Sequence, residues 1–404
     1  ENVPRYHARE TAIYRAKMCG AFVVLGSATP STDSFYRARC GEYGYYRLPD
    51  RIGRAALPQV TVVDLREELR AGNRSIFSRK LREGIQERLE KRQQTMLFLN
   101  RRGLAGFVSC RSCGKAVRCP HCDVTLSLHG DGRLRCHYCG YEQEMPGNCP
   151  SCGSPYISGF RAGTQQIERE VYRVFPGARV LRMDYDTTRS KESYETILSA
   201  FADRQADILV GTQMIVKGHD FPGVTLVGVL AADLSLYASD YRASERTFQL
   251  LTQAVGRAGR RDLPGEAVIQ TYVPEHYSIR MAARQDYEGF YEQEMLYRRL
   301  LGYPPVCGML GIYLSGQDEH ALERQAEYLG GCIRGLEVPG LSVIGPAKAA
   351  LAKKKDIYRR VIYLKHQSEG TLLKIKGKLE KMTEQETVRQ EIYIQYDWNP
   401  ISVY

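Results

Sequence analysis

Cys110-Arg-Ser-Cys113, Cys119-Pro-His-Cys122, Cys136-His-Tyr-Cys139 and Cys149-Pro-Ser-Cys152 fall in one short stretch of a 404-residue chain. Tetrahedral zinc takes four soft thiolates at about 2.3 Å, and a two-residue gap lets one tight turn deliver two of them. Eight thiolates in four such turns supply two complete four-cysteine sites. Glycine or proline punctuates most of the turns (Gly114, Pro120, Gly140, Pro150, Gly153), as a chain wrapped round a metal requires. A disulfide framework is the competing reading, but the long flanks look like a cytosolic enzyme, where disulfides are rare. No ligand position is left for a catalytic water, so both sites read as structural.

Which pairs share a metal follows from what lies between them. Residues 123–135 read as a β-hairpin, with Val124, Leu126 and Leu128 alternating and Gly130-Asp131-Gly132 at the turn. A hairpin brings its ends together. Cys119, Cys122, Cys136 and Cys139 then form one site, and Cys110, Cys113, Cys149 and Cys152 the other. Interleaved pairing, as in cross-braced zinc modules, is the competing arrangement.

The length predicts two to four domains. The hydrophobic fraction of 43% is ordinary for globular protein, and no apolar run approaches a membrane span. A net charge of +11 points toward nucleic acid. The chain opens at Glu1 in a basic segment with no signal peptide, which suggests a piece of something longer. Cys19, Cys40, Cys307 and Cys332 are scattered and read as small core or surface residues.

Outward from the cysteines, strands and helices alternate. Residues 1–20 predict a helix, and 21–25 a buried parallel-type strand that runs into Gly26-Ser-Ala-Thr-Pro-Ser31. Residues 44–75 read as an irregular connection holding one strand at 60–64. A helix over 78–92 and a strand over 95–100 precede the cysteines. After them come a helix (164–175), a strand (179–184), a helix (191–203), strands at 207–211 and 224–230, a helix (242–255) and a strand (266–272). This alternation predicts a parallel sheet covered on both faces, with the cysteine segment as an insertion. Residues 276–300 read as one connecting helix. The order strand, helix, strand, strand, helix, strand from 308 to 396 predicts a ferredoxin-like α+β domain.

Three stretches carry candidate chemistry. Gly211-Thr-Gln-Met-Ile-Val-Lys-Gly-His-Asp-Phe-Pro-Gly223 is a polar, glycine-rich loop leaving a strand. Gln249-Leu-Leu-Thr-Gln-Ala-Val-Gly-Arg-Ala-Gly-Arg260 sets Gln253, Arg257 and Arg260 at helical spacing. Arginines so fixed can neutralise charge on a transferring phosphoryl group, although plain compensation of a helix dipole would look the same. Residues 340–381 hold 11 Lys/Arg against 3 Asp/Glu, a net +8 of the chain's +11. There Lys353, Lys354, Lys355, Tyr358, Arg359 and Arg360 mix cations with an aromatic ring in what reads as a loop. That mixture suits phosphates and stacked bases; a solvated lysine-rich face is the bland alternative.

Together these residues resemble the bacterial primosomal replication-restart helicases, the primosomal protein N′ (PriA) family of superfamily 2, over nearly the whole chain. Gly26 to Ser31 looks like helicase motif III, Leu97-Phe-Leu-Asn-Arg-Arg-Gly103 like motif IV, Gly211 to Gly223 like motif V and Gln249 to Arg260 like motif VI. Gly163-Thr-Gln-Gln-Ile-Glu168 is similar to an additional motif of this family. Arg118-Cys-Pro-His-Cys-Asp123 and Cys136-His-Tyr-Cys-Gly140 single the family out. The resemblance implies a RecA-like helicase lobe with an inserted two-zinc, eight-cysteine module and a C-terminal ferredoxin-like domain. It implies an ATP- and magnesium-dependent 3′-to-5′ DNA helicase that recognises stalled or branched forks and starts primosome assembly. Implied partners are forked and single-stranded DNA, primosome proteins and single-stranded DNA-binding protein, in the bacterial cytoplasm at the nucleoid. Thr212 and Lys217 would meet DNA. Gly218 and Asp220 would lie toward ATP, and Arg257 and Arg260 would face its γ-phosphate with Gln253 beside them. The C-terminal domain would contact branched DNA.

The boundaries that follow are 1–58 for the tail of the first motor lobe and a linker, 59–109 with 153–275 for the second lobe, 110–152 for the zinc insertion, 276–300 for a connecting helix and 301–404 for the C-terminal domain. One departure matters. The sequence holds no Gly-x-x-x-x-Gly-Lys-[Ser/Thr] and no Asp-Glu-x-His in the motor region, so this chain by itself is expected not to hydrolyse ATP. Gln165, where the family usually has an acid, and Ala254 inside motif VI are smaller departures. A non-catalytic zinc-dependent adaptor for nucleic acid or protein is the alternative; ordered motifs III to VI argue against it. An RNA helicase or restriction-type translocase is a third reading, disfavoured by the zinc insert and the C-terminal domain. No coiled coil is visible, so a monomer is expected.

Overall fold

The computed structural model describes residues 6–48, 57–99, 107–159, 163–184, 186–188, 190–215, 221–238, 240–259, 264–390 and 392–400. They divide into two units, Glu1–Tyr45 and Tyr46–Tyr404. The first unit holds α1 (Ala8–Cys19) and α2 (Thr32–Arg39). Ser31 caps α2 by accepting the Ser34 N–H at 3.2 Å, and Arg9 of α1 donates to the Ser31 and Ser34 hydroxyls at 2.5 and 2.7 Å. The strand predicted over 21–25 does not form, and Phe22 is fully exposed. A parallel strand needs a neighbour for its N–H and C=O groups, and the described residues of this unit contain no other strand.

The second unit is built on a six-stranded sheet. Its chain order runs β1 (Gln59–Asp64), α3 (Leu65–Arg70), α4 (Arg79–Glu90), β2 (Gln94–Leu99), then the cysteine segment. It resumes with α5 (Thr164–Val174) after short strands β3 (Val108–Cys110), β4 (Ser127–Leu128), β5 (Arg133–Arg135), β6 (Glu142–Glu144) and β7 (Ile157–Gly159). Next come β8 (Val180–Met183), α6 (Lys191–Ala202), β9 (Ile208–Gly211), β10 (Val224–Leu230), α7 (Ala243–Val255) and β11 (Glu266–Thr271). The sheet order is β1-β11-β10-β2-β9-β8 and every pairing is parallel. β2 and β10 are buried along their whole length, as helices on both faces require of apolar central strands. Leu81 and Ile85, four apart on α4, are fully buried against them. The connection read as irregular also contains α3, whose N-cap Asp64 accepts the Arg66 N–H at 2.8 Å.

The single helix predicted over 276–300 is two, α8 (Tyr277–Arg284) and α9 (Tyr287–Leu301). Gln285 ends α8 in the left-handed conformation (φ 54°), and Asp286 caps α9 by accepting the Gly289 N–H. Beyond them lie β12 (Gly308–Gly316), α10 (Glu319–Arg334), β13 (Ser342–Lys354), β14 (Ile357–His366), α11 (Glu369–Gln390) and β15 (Tyr393–Trp398). These strands form an antiparallel sheet of order β13-β14-β12-β15, the ferredoxin-like order. The predicted loop at 353–360 is instead the tip of the β13–β14 hairpin. Lys355 and Asp356 turn it with φ of 50° and 60°, the left-handed pair of a tight two-residue turn. Among the described residues no helix is long and apolar enough to cross a membrane.

The cysteine segment runs between β2 and α5. β3 and β7 pair antiparallel and close its ends. The predicted hairpin forms as β4 and β5, and β6, which the sequence reading did not include, adds a third strand.

Candidate functional site

All four Cys-x-x-Cys pairs fold as the same turn. The N–H of the residue four beyond the first cysteine donates back to that cysteine's carbonyl: Gly114 to Cys110 at 2.8 Å, Asp123 to Cys119 at 3.0 Å, Gly140 to Cys136 at 3.0 Å and Gly153 to Cys149 at 2.8 Å. The first cysteine's own N–H donates to the residue five beyond it: Lys115, Val124, Tyr141 and Ser154. The residue after the second cysteine is left-handed each time, with φ of 75°, 51°, 79° and 71°. Glycine serves three times, and Asp123, a residue type that tolerates that region, serves once.

The turns meet in two quartets. Cys110, Cys113, Cys149 and Cys152 form the outer cluster, and Cys119, Cys122, Cys136 and Cys139 the inner one, with all sulfurs of each within 4.8 Å of one another. Sγ separations of 3.7 Å (Cys110–Cys152), 3.7 Å (Cys113–Cys149) and 3.5 Å (Cys119–Cys139) are close to the edge of about 3.8 Å that a tetrahedron with 2.3 Å arms requires. The nested pairing is therefore the one adopted. Thiols so crowded cannot all ionise without a cation. Hydrogen bonding from Cys122 and then Cys136 holds the Cys139 thiol below its ordinary range, while Cys136 and Cys139 push Cys122 far above it. Two such clusters fit two zinc ions.

Each cluster faces a different neighbour. At the outer one, Tyr237 donates to the Gly114 carbonyl, and a Cβ on Gly114 would stand 2.2 Å from the Tyr272 carbonyl just past β11. Only glycine permits that approach to the parallel sheet. At the inner one, the Tyr303 hydroxyl donates to the Cys122 carbonyl at 3.3 Å, and Tyr297 to the Asp123 carboxylate at 2.8 Å. Tyr138 is buried between Tyr303 and Tyr363, with centroids at 6.4 and 5.0 Å, and its hydroxyl accepts the Tyr241 N–H. Tyr241 and Tyr303 stack at 4.8 Å.

Beneath this junction lies a buried charge network absent from the sequence reading. Arg298 of α9, with no solvent exposure, donates to Glu294, to Glu245 in the first turn of α7 and to the Pro304 carbonyl, each at 2.7 Å. Arg242 reaches Glu245 at 3.7 Å, and Tyr277 donates to Glu294 at 2.7 Å. Burial works against the charge on Arg298, yet Glu294 and then Glu245 hold its pKa above the ordinary value.

Of the residues expected to meet ATP or DNA in the helicase motifs, the described ones lie at two edges of the parallel sheet. Thr212, buried, directly follows the carboxyl end of β9. Gln253 is on the last turns of α7, and Arg257 follows its end, where the Gly259 N–H donates to the Val224 carbonyl at the start of β10. Thr212 and Arg257 are thus not brought together. Lys217, Gly218, Asp220 and Arg260, with residues 100–103 of the motif IV stretch, lie outside the described residues.

In the hairpin, Lys353, Lys354 and Lys355 are exposed, and Lys353 pairs with Asp356 at 3.0 Å while lying 4.7 Å over the Tyr358 ring. Tyr358 and Arg359 are half-buried. Arg360 departs from the expectation. It is 2% exposed and donates to Glu319 at 3.0 Å and Glu323 at 2.9 Å, so its guanidinium is committed to α10.

Three family models match separate parts of the chain: the PriA DNA helicase Cys-rich region domain over 119–143, the helicase conserved C-terminal domain over 158–262 and the primosomal protein N C-terminal domain over 299–401. The replication restart protein PriA of Bacillus subtilis is 46% identical over 401 residues, covering 99% of this chain and 50% of that protein. The chain belongs to the PriA family of replication restart proteins. The PriA of Synechocystis is 41% identical over 99% of this chain and 49% of its own, and that of Haemophilus influenzae 36% over 92% and 50%. The chain spans about half the length of these PriA relatives. The PriA Cys-rich model covers all four inner cysteines.

Proposed function

We propose that this chain supplies the second motor lobe, zinc module and C-terminal domain of an ATP-dependent 3′-to-5′ DNA helicase that recognises stalled or branched forks and starts primosome assembly. The observation that carries this reading is the co-occurrence, in one chain, of the family's helicase, Cys-rich and C-terminal domains. Residues 59–109 and 153–275 form the second lobe, 110–152 the zinc module and 301–404 the DNA-binding domain, with 276–300 connecting them and 1–58 belonging to the first lobe and a linker. Two zinc ions sit in the two cysteine quartets as structural ions. Gln253, Arg257 and Arg260 face ATP and its magnesium, with Gly218 and Asp220. Thr212 and Lys217 meet the DNA strand, and Lys353 to Lys355, Tyr358 and Arg359 meet duplex DNA at the branch. Primosome proteins and single-stranded DNA-binding protein are its protein partners, in the bacterial cytoplasm, with the chain acting as a monomer.

The test is binding of this chain to a labelled three-way fork, with single strand and plain duplex as competitors at one salt concentration, before and after zinc removal. Fork preference that weakens on chelation supports the reading. Equal binding to all three DNAs removes fork recognition from this half. The chain alone should show no DNA-stimulated ATPase, having no phosphate-binding loop.

A further inference from the structure

The C-terminal sheet has two apolar faces, and one of them is covered by cysteines. Side chains alternate along a strand. Leu310, Ile312 and Leu314 of β12 with Ile362 and Leu364 of β14 pack on α10 and α11. The intervening Met309, Val361 and Tyr363, each fully buried, pack instead with Val124, Leu126, Leu134, Tyr138 and the inner cysteines. Lys365 shares that second face. Its ammonium donates to the Leu301 carbonyl at 2.9 Å and lies 4.4 Å over the Tyr303 ring. It lines a cleft of about 260 Å³ together with His121, Cys122, Cys139 and Tyr303. Among the described residues no carboxylate pairs with it, and none lines that cleft. A lysine held largely out of water needs an anion nearby. A zinc ion with four thiolates is anionic, and two of the inner ligands, Cys122 and Cys139, line the same cleft as Lys365.

We propose that the inner metal site is shared: its zinc–thiolate cluster holds the C-terminal domain in place, and Lys365 is a positioning residue that neutralises the cluster from the C-terminal side. Zinc folds the Cys119 and Cys136 turns, those turns present Tyr138 and the Cys122 carbonyl, and these seat Tyr363, Tyr303 and Lys365. Cys110 and Cys149 of the outer quartet border the same core, but the Cys110 turn meets the parallel sheet at Gly114, so the seating is assigned to the inner quartet. The inference rests on the zinc reading above.

Hydroxyl-radical footprinting reads the two faces of the same strands separately. Zinc is first counted on the purified chain, then removed stepwise with a chelator, and also by Cys139→Ser (inner) or Cys152→Ser (outer). Loss of inner zinc should raise labelling of Met309 and Tyr363 several-fold while Leu310, Ile362 and Leu364 stay protected; Cys152→Ser should leave all five unchanged. In the Cys152→Ser background, where the inner zinc is the one remaining, Lys365→Met should release it to the chelator about ten-fold faster, the scale of losing an outer-shell partner. A chain that holds no zinc refutes the metal reading and this inference with it. Inner zinc lost with Met309 and Tyr363 still protected, both faces opening together, or release unchanged by Lys365→Met refutes the inference alone.

Discussion

Arg298→Met removes a guanidinium that donates three hydrogen bonds of 2.7 Å with no contact with solvent. Two acceptors are the buried carboxylates of Glu245 and Glu294. Taking one partner from a buried ion pair costs about 3–5 kcal/mol, because the charge left behind has lost both water and its counter-ion. Here Arg242 remains 3.7 Å from Glu245, and the Tyr277 hydroxyl still holds Glu294. Methionine also returns some apolar packing. The loss should therefore lie near the lower end, about 3 kcal/mol. Urea unfolding followed by circular dichroism would show it as a lower midpoint at unchanged slope. Acidifying the variant until the stranded carboxylates protonate should recover part of the loss. Adding Glu245→Gln to Arg298→Met should cost less than the sum of the two single changes, since the second no longer breaks a pair. A loss under about 1 kcal/mol, or strict additivity in that cycle, would show that α7 and α9 are held by packing rather than by this network.

Three further changes separate charge from structure. Burial, and secondarily Arg118, lowers the pKa of His276 to about 4. A base with a lowered folded-state pKa is protonated first in the unfolded chain, so its stability contribution is full above about 6.5 and is lost as pH falls toward 4. His276→Asn keeps the cap on α8 and should flatten that limb by about 2 kcal/mol, less than the full shift because part of the ring is wet; an unchanged pH profile would rule the histidine out. In the hairpin, Lys353→Ala with Lys355→Ala should shrink the salt dependence of DNA binding by about one phosphate contact per lysine and leave stability alone. Arg360→Met should do the reverse, and a salt slope that falls with Arg360→Met would return that residue to the DNA surface.

What the sequence made legible was whatever a single segment determines. The Cys-x-x-Cys spacing dictates its turn, so two metal sites and their nested pairing could be read without knowing the surroundings. Strands β2 and β10 announced burial on both faces by near-continuous apolar runs. The misread features depend on a partner distant in sequence. Residues 21–25 have the composition of a buried strand, yet among the described residues of their unit no strand pairs with them. Arg360 sits in a basic run and so read as a phosphate ligand, but the β12–β14 register turns it toward Glu319 and Glu323 on α10. Asp123 occupies the left-handed place that glycine holds in the other three turns, and the repeat itself was the signal. Arg298 gave no signal, since an arginine on a charged helix looks the same whether it meets water or two glutamates.

One overlooked signal bears on how the module works. An antiparallel sheet with a wet face alternates apolar and polar side chains, but β12 reads Met-Leu-Gly-Ile-Tyr-Leu over 309–314, and β14 reads Val-Ile-Tyr-Leu over 361–364. Helices α10 and α11 cover only one face, so the composition already demanded a second cover. The cysteine module meets that demand, and its position gives each cysteine quartet its own neighbour. A segment of short strands with a small apolar core cannot hold its own shape between two larger bodies. The outer quartet fixes the turn that meets the parallel sheet at Gly114, and the inner quartet fixes the turns that meet the C-terminal sheet at Tyr138 and Cys122. With one site lost, the module would stay attached to one body and loosen from the other.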